Sequence, residues 1–244
     1  IPNLDAYKSI ADEVKEFCSK NNFGLIIHAS YTINLAKEPK IGKKTLELKD
    51  CYWINVLLHQ LIVSELLGAV GVVVHVGKYT TNTKEIGLQH MKNAIEYIID
   101  QMHILNLKSK LIIETPAGAG TELLTTVEEF AQFYNQFDTH QKHYLGMCLD
   151  TAHIWSSGYD LIDYYSYLTK TNKKDIIAIH LNNSKKEKGS NVDLHDTLLA
   201  KEGTIPTTIL QQFLTSLKEH PMIILETPSD NFDKEIVWVK NYVK

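Results

Sequence analysis

Six short apolar runs in this sequence each stop on a residue that can hold a metal ion: His28, His75, Glu114, Asp150, His180 and Glu226. The residues just before them are Ile, Val, Leu or Ala. A lone histidine at the end of a buried run is usually a hydrogen-bonded core residue, and Glu114 alone, ahead of PAGAG, could cap a helix. Six runs ending this way form a pattern. Two tight motifs add to it: DTAH supplies Asp150 and His153, and VDLH supplies Asp193 and His195. Carboxylates gathered in one place repel, and burying them unpaired is costly unless they are protonated or metal-bound. A mixture of His, Asp and Glu is the donor set of zinc and related divalent ions. Metal-assisted chemistry is therefore expected. Asp150 at a strand end and His153 on the turn beyond it can face different ions, so that one strand serves two.

The elements that must position these residues alternate. Apolar, β-branched runs read as strands at 25–30, 70–77, 110–116, 145–153, 175–184 and 222–228. Between and after them, helical spacing is found at about 47–67, 83–105, 125–137, 160–170, 206–219 and 232–243. The strands are nearly continuous in apolar residues, as parallel strands buried on both faces are. Strand–helix alternation of this kind predicts an α/β fold with a parallel sheet. In a parallel barrel the C-terminal strand ends form the active face, so the six ligand-type residues would converge there. Residues 3–20 read as a helix with Asn3 as N-cap, following a strand that is not in the sequence. The expectation is one TIM-type (β/α)8 barrel domain over residues 1–244, with its first two strands missing.

Composition narrows the class. The chain has 244 residues, a formal net charge of −4 and 25 basic residues, all of them lysine. No apolar run approaches the roughly 18 residues of a membrane span, and no secretory signal is visible. Three widely spaced cysteines, Cys18, Cys51 and Cys148, do not make a disulfide framework. An intracellular protein, cytoplasmic or nuclear and not secreted, is expected. A slightly acidic balance argues against a broad nucleic-acid surface, but a local basic path is compatible with it.

At the level of motifs the sequence resembles endonuclease IV, the zinc-dependent apurinic/apyrimidinic endonucleases of the xylose-isomerase-like barrel superfamily. HASYTINLA (28–36), VVHVG (73–77), ETPAGAGTEL (114–123), CLDTAHIWSSGYD (148–160), HLNNSK (180–185), GSNVDLHDTLLAKEGTI (189–205) and LETPSDN (225–231) carry the likeness. It runs over almost the whole chain in the family's order. The resemblance implies three zinc ions, one of them replaceable by manganese. His28, His75 and Glu114 would hold the first. Glu114 would bridge to a second, held also by Asp150, His180 and Glu226. His153, Asp193 and His195 would hold the third. It implies hydrolysis of the phosphodiester on the 5′ side of an abasic site in double-stranded DNA, leaving a 3′-hydroxyl and a 5′-deoxyribose phosphate. Zinc suits that chemistry, because it lowers the pKa of bound water to about 7. Glu114 and Glu226 would be catalytic as well as ligating. Tyr31 stands where the family inserts a tyrosine into DNA, and Lys78, Lys185 and Lys188, with Lys186 and Lys201, would meet phosphates. A monomer is the default.

The sequence departs from the family in places. Asn191 and Leu194 replace arginines of GSRVDRH, Ala119 replaces a glutamine, and Thr32 replaces a larger apolar residue. Lysine does not offer arginine's bidentate fork. Two rivals follow: a divalent-metal sugar isomerase or epimerase on the same barrel, and a metal-stabilised protein that binds abasic DNA without cutting it. The separate His153, Asp193 and His195 set opposes the first, because isomerisation needs no third ion. Nine intact ligands oppose the second.

Overall fold

The computed structural model describes residues 4–218, 221–228 and 232–243; the expected cap at Asn3 lies outside them. The chain divides into two compact units. One comprises residues 1–113 with 137–146, the other 114–136 with 147–244. The division falls inside two strands.

In the first unit the strands are Ile26–His28, Gly71–His75 and the start of Lys110–Glu114. The first two pair in parallel, with Ile26 opposite Gly71 and His28 opposite Val73. Val72 and Val73 point to opposite faces and are both fully buried, which is the mark of a strand covered on both sides. The covering helices are Tyr52–Leu67 and Lys84–Ile104. The former buries Ile54, Leu57 and Leu61, and the latter Met91, Ile95 and Ile98. The Thr83 side chain caps the second by accepting from the Ile86 amide, while Gly68, at φ 68°, closes the first in the left-handed conformation.

In the second unit the strands are the end of Leu145–Asp150, then Ile176–His180 and Met222–Ile224, paired in parallel and in chain order. The registers Asp150 to His180 and His180 to Ile224 bring the strand ends level. Helices Val127–Tyr134, Leu161–Asn172 and Thr207–Ser216 carry the apolar residues Phe130, Tyr134, Leu168 and Phe213 inward.

All six expected strands are present, but some local expectations need correction. His153 is not on a turn. It lies in a short helix, Thr151–Ser156, whose N-cap is Asp150. The run expected as one strand over 175–184 stops at His180, and Asn183–Ser184 instead pairs antiparallel with His195–Asp196. The helix expected from 47 begins at Tyr52, after a 3-10 turn at Leu48–Asp50 and an extended Cys51. A hairpin, Lys40–Ile41 with Lys44–Thr45, and a short helix, Thr139–His143, held by an Asp138–Gln141 capping box, had no periodic signal. The three cysteines are free thiols. Among the described residues no helix is long and apolar enough to cross a membrane.

Gly71 shows how closely the first unit is packed. A Cβ there would sit 2.3 Å from the Lys110 carbonyl oxygen, a backbone atom with little freedom to move. Gly71→Ala is expected to lower the unfolding free energy by about 1–3 kcal/mol, the usual cost of overpacking. Urea denaturation with a two-state fit checks this; an unchanged midpoint would show that the strand can shift at no cost.

Candidate metal centre

In the first unit His28 and His75 end adjacent parallel strands, and their rings lie 5.2 Å apart between centroids. His28 Nδ1 lies 2.9 Å from the Ala29 carbonyl oxygen. Donating there leaves Nε2 with its lone pair. Tyr31 stands against both rings, at 5.5 and 5.4 Å, yet is 83% exposed. Its ring is therefore presented to solvent beside two candidate ligands. Lys78 is exposed, and its backbone is held by reciprocal hydrogen bonds with the Asn34 side chain.

The second unit contains two clusters. The first gathers Glu114, Asp150, His180 and Glu226, whose ligand atoms lie within 4.8 Å of one another. His180 Nδ1 is 2.8 Å from Glu114 Oε1, 3.1 Å from Glu226 Oε2 and 4.0 Å from Asp150 Oδ2. Three carboxylates thus face one imidazole nitrogen. Burial disfavours a charged His180, but the Glu114 and Glu226 carboxylates hold its pKa far above the ordinary histidine range. Behind it, burial pushes the Cys148 thiol up to about 12, so it stays protonated.

The second cluster is His153, Asp193 and His195. Asp193 Oδ1 lies 3.3 Å from His153 Nε2 and 3.1 Å from His195 Nε2. His153 Nδ1 lies 2.8 Å from the Thr115 carbonyl oxygen; donating there orients Nε2 toward Asp193, as backbone carbonyls orient metal-binding imidazoles. Burial works against charge on His153 and His195. Asp150 and Asp193 outweigh it and raise both pKa values, with Glu114 adding to the effect at His153. Asp193 is moved the other way: burial would raise it, but the two histidines hold it well below the carboxylate range.

Asp150 touches both clusters. Its Oδ1 accepts from the His153 amide at 2.8 Å, and its Oδ2 accepts from Asn182 Nδ2 at 2.7 Å. The same Oδ2 is 3.6 Å from His195 Nε2, and Asp150, His153 and His195 also lie within 4.8 Å of one another. The sequence pattern suggested separate ions for Asp150 and His153; the Asp150 carboxylate stands between the two clusters.

These residues fit divalent cations. The buried His195 Nε2, although near Asp193, has no well-aligned hydrogen-bond partner among the described residues. Each cluster offers imidazole and carboxylate donors in the combination zinc takes. The remaining lysines differ. Lys185, Lys186 and Lys201 are exposed, whereas Lys188 is engaged, 2.8 Å from Asp160 and over the Trp155 ring. Sequence reasoning passed over Thr115, Thr151 and Asn182, which hold the ligands. Only the Asp-x-x-His capping spacing carried a signal for this shell.

Comparison with known proteins agrees with the fold. The family described as xylose isomerase-like TIM barrel matches residues 2–242. A Mycoplasma pneumoniae relative bearing the name endonuclease 4 is 31% identical over 96% of this chain and 80% of its own length. One from Thermoplasma acidophilum with the same name is 33% identical over 89% of this chain and 73% of its own length. Among solved structures, endonuclease IV from Thermus thermophilus superposes with a TM-score of 0.67 at 26% identity, over 98% of this chain and 78% of that one. A D-tagatose 3-epimerase-like protein superposes with a TM-score of 0.72 at 17% identity, over 95% of this chain and 81% of that one. The last likeness concerns the fold alone.

The charge balance leads to a pH prediction. In the metal-free protein the histidine pKa values lie above the ordinary 6.5. Their contribution to stability is fully present below about pH 6.5 and is lost as pH rises through the raised values. Asp193, with its lowered pKa, contributes above the ordinary carboxylate value of 3.8 and loses that as pH falls through the lowered one. A cation must displace the histidine protons, so its apparent affinity should rise about tenfold per pH unit for each proton released. The melting temperature of metal-free protein should therefore fall from pH 6 to pH 8, while the increment given by zinc grows. A zinc increment independent of pH would refute this.

Proposed function

Because the chain belongs to the xylose isomerase-like TIM barrel family and within it to the endonuclease 4 proteins, and so is a nuclease, we propose that it acts on abasic sites in double-stranded DNA. The proposed reaction is hydrolysis of the phosphodiester 5′ to the lesion, leaving a 3′-hydroxyl and a 5′-deoxyribose phosphate. One observation carries the reading: three acidic residues, Glu114 and Asp150 at strand ends and Glu226 just beyond one, face the single nitrogen Nδ1 of His180. Hydrolysis of a phosphodiester needs positive charge and an activated water at such a point. Zinc, when bound, would supply both.

The chain's own groups have distinct parts. His180, Asp150, Glu114 and Glu226 would hold one ion, and His153, Asp193 and His195 another. His28 and His75 would contribute to holding a third, and manganese would serve as a replacement at one position. Glu114 and Glu226 would also orient the nucleophilic water and take its proton. Tyr31, placed against two histidines and exposed, would fill the gap left when a baseless sugar leaves the stack, a step made cheap by the missing base. Exposed Lys78, Lys185, Lys186 and Lys201, with Lys188 when released from Asp160, would meet phosphates. The protein would work inside the cell as a monomer.

The sugar epimerase reading shares the fold. The His153, Asp193 and His195 cluster counts against it, since it provides for an ion that isomerisation does not use.

Two outcomes are expected. Zinc-loaded protein should cut a labelled duplex once, on the 5′ side of a tetrahydrofuran abasic analogue, and lose this on prolonged chelation. Glu114→Gln and Glu226→Gln should each cut at least about 100-fold more slowly, in the range of a lost acid–base group, with duplex affinity little changed. Folded, zinc-loaded protein that binds the duplex without cutting would favour the non-catalytic binder. Separately, Tyr31→Ala should weaken binding of the abasic duplex about tenfold, the size of a lost stacking contact, as read by fluorescence anisotropy. Unchanged affinity would remove Tyr31 from lesion recognition.

A further inference from the structure

We infer that Asn182 is a positioning residue, a buried amide clamp that sets two ligating carboxylates against each other in the second unit. The inference rests on the metal reading of the site and deepens it. Asn182 is fully buried, two residues beyond His180, just after the strand Ile176–His180 ends. Its side-chain oxygen accepts from the Glu226 backbone amide at 3.0 Å. Its side-chain nitrogen donates to Asp150 Oδ2 at 2.7 Å. The orientation of the amide is dictated by its partners: a backbone N–H can only donate and a carboxylate can only accept. One planar group therefore joins the ends of two other strands, one through the ligand carboxylate and one through the backbone that carries the ligand.

Asn182 is itself held. Its backbone amide donates to Thr151 Oγ1 at 2.8 Å, and Thr151 Oγ1 donates to the Asn182 carbonyl at 2.6 Å. Thr151 is the first residue of the helix that Asp150 caps, so the clamp closes on the segment that carries Asp150. Asp150 is left little rotational freedom. Its Oδ1 is taken by the His153 amide, and its Oδ2 accepts from Asn182 while lying 4.0 Å from His180 Nδ1 and 3.6 Å from His195 Nε2. A carboxylate fixed in this way can lie against both clusters without choosing a side. An asparagine suits the position where other residues fail. Leucine would leave the Glu226 amide without an acceptor in the interior, and aspartate would set a second negative charge against Asp150.

The test compares full-length wild type with Asn182→Ala, Asn182→Asp and, as a control, Asn172→Ala. Asn172 is another buried amide of the same unit, paired with Asn135 and hydrogen-bonded to none of the ligand residues named above. Zinc is titrated into chelator-stripped, folded protein against a competing chromophoric chelator, with circular dichroism to confirm folding. Both Asn182 variants should lose about 10- to 100-fold in affinity for zinc, the usual effect of removing an outer partner of a ligand, with Asn182→Asp hit at least as hard. On the abasic duplex their kcat should fall while duplex affinity holds. Asn172→Ala should melt earlier but take up zinc like wild type. Asn182→Ala that is folded and binds zinc like wild type would overturn the inference. Equal zinc loss in Asn172→Ala would do so too, by showing general loosening instead of a clamp. If Asn182→Ala does not fold, Asn182→Asp, of the same size and with the acceptor for Glu226 kept, decides by the same criterion. A wild-type chain that takes up no zinc would sink the metal reading itself, and this inference with it.

Discussion

Negative charge concentrated at the strand ends is the constraint on which this structure turns. Glu114, Asp150 and Glu226 converge on one imidazole nitrogen, and Glu114 and Asp150 are buried. Carboxylates so placed repel in a medium that screens poorly. They coexist only if positive charge stands among them. In the absence of metal, raised histidine pKa values supply it; divalent cations would supply it more strongly. Such a cluster adds little to stability and is best understood as chemistry that the rest of the fold supports.

The surrounding polypeptide is arranged to support it. Parallel pairing levels Asp150, His180 and Ile224, so the last residues of adjacent strands reach the same height. Backbone groups then fix the side chains. Asp150 caps a helix and so places the next ligand, His153, within one turn. The Thr115 carbonyl oxygen orients the His153 ring. The short ribbon of Asn183–Ser184 with His195–Asp196 returns a long loop to the site and sets His195 beside His153. Asn183 anchors the end of that loop through both the amide and the carbonyl of Ile205. Helix capping, strand pairing and ligand placement are here the same set of hydrogen bonds.

The fold does not choose the reaction. It is shared with a sugar-epimerase-like protein as closely as with endonuclease IV, as expected of an architecture that hosts many activities. What separates the readings is local: a second cluster, His153–Asp193–His195, in addition to the first, and an exposed tyrosine lying tilted against His28 and His75.

Much of this was legible in the sequence, because it follows from short-range rules. Continuous apolar runs announce strands buried on both faces, and all six strands were found; five end on their ligand-type residue, while Glu226 lies two residues beyond the strand Met222–Ile224. The 3.6-residue spacing announced the long helices, although their ends shifted where a 3-10 turn or a capping residue intervened. The motif likeness pointed to the family. Other features depended on contacts between distant residues. Nothing in the spacing of Asn183, Ser184, His195 and Asp196 indicated a two-residue ribbon, since pairs so short carry no period. Nothing marked Asn182 as different from its neighbour Asn183, yet one amide joins Asp150 to Glu226 and the other closes a loop. Sequence alone determined which residues could ligate and which strands would carry them, because side-chain chemistry and hydrophobic period are properties of the chain. Only tertiary structure decided which nitrogen of each histidine faces its carboxylates, and that Asp150 stands between two clusters. Those choices belong to hydrogen-bond partners, such as Thr115 for His153 or Asn182 for Asp150, that lie 38 and 32 residues away along the chain and meet only when the strands pair.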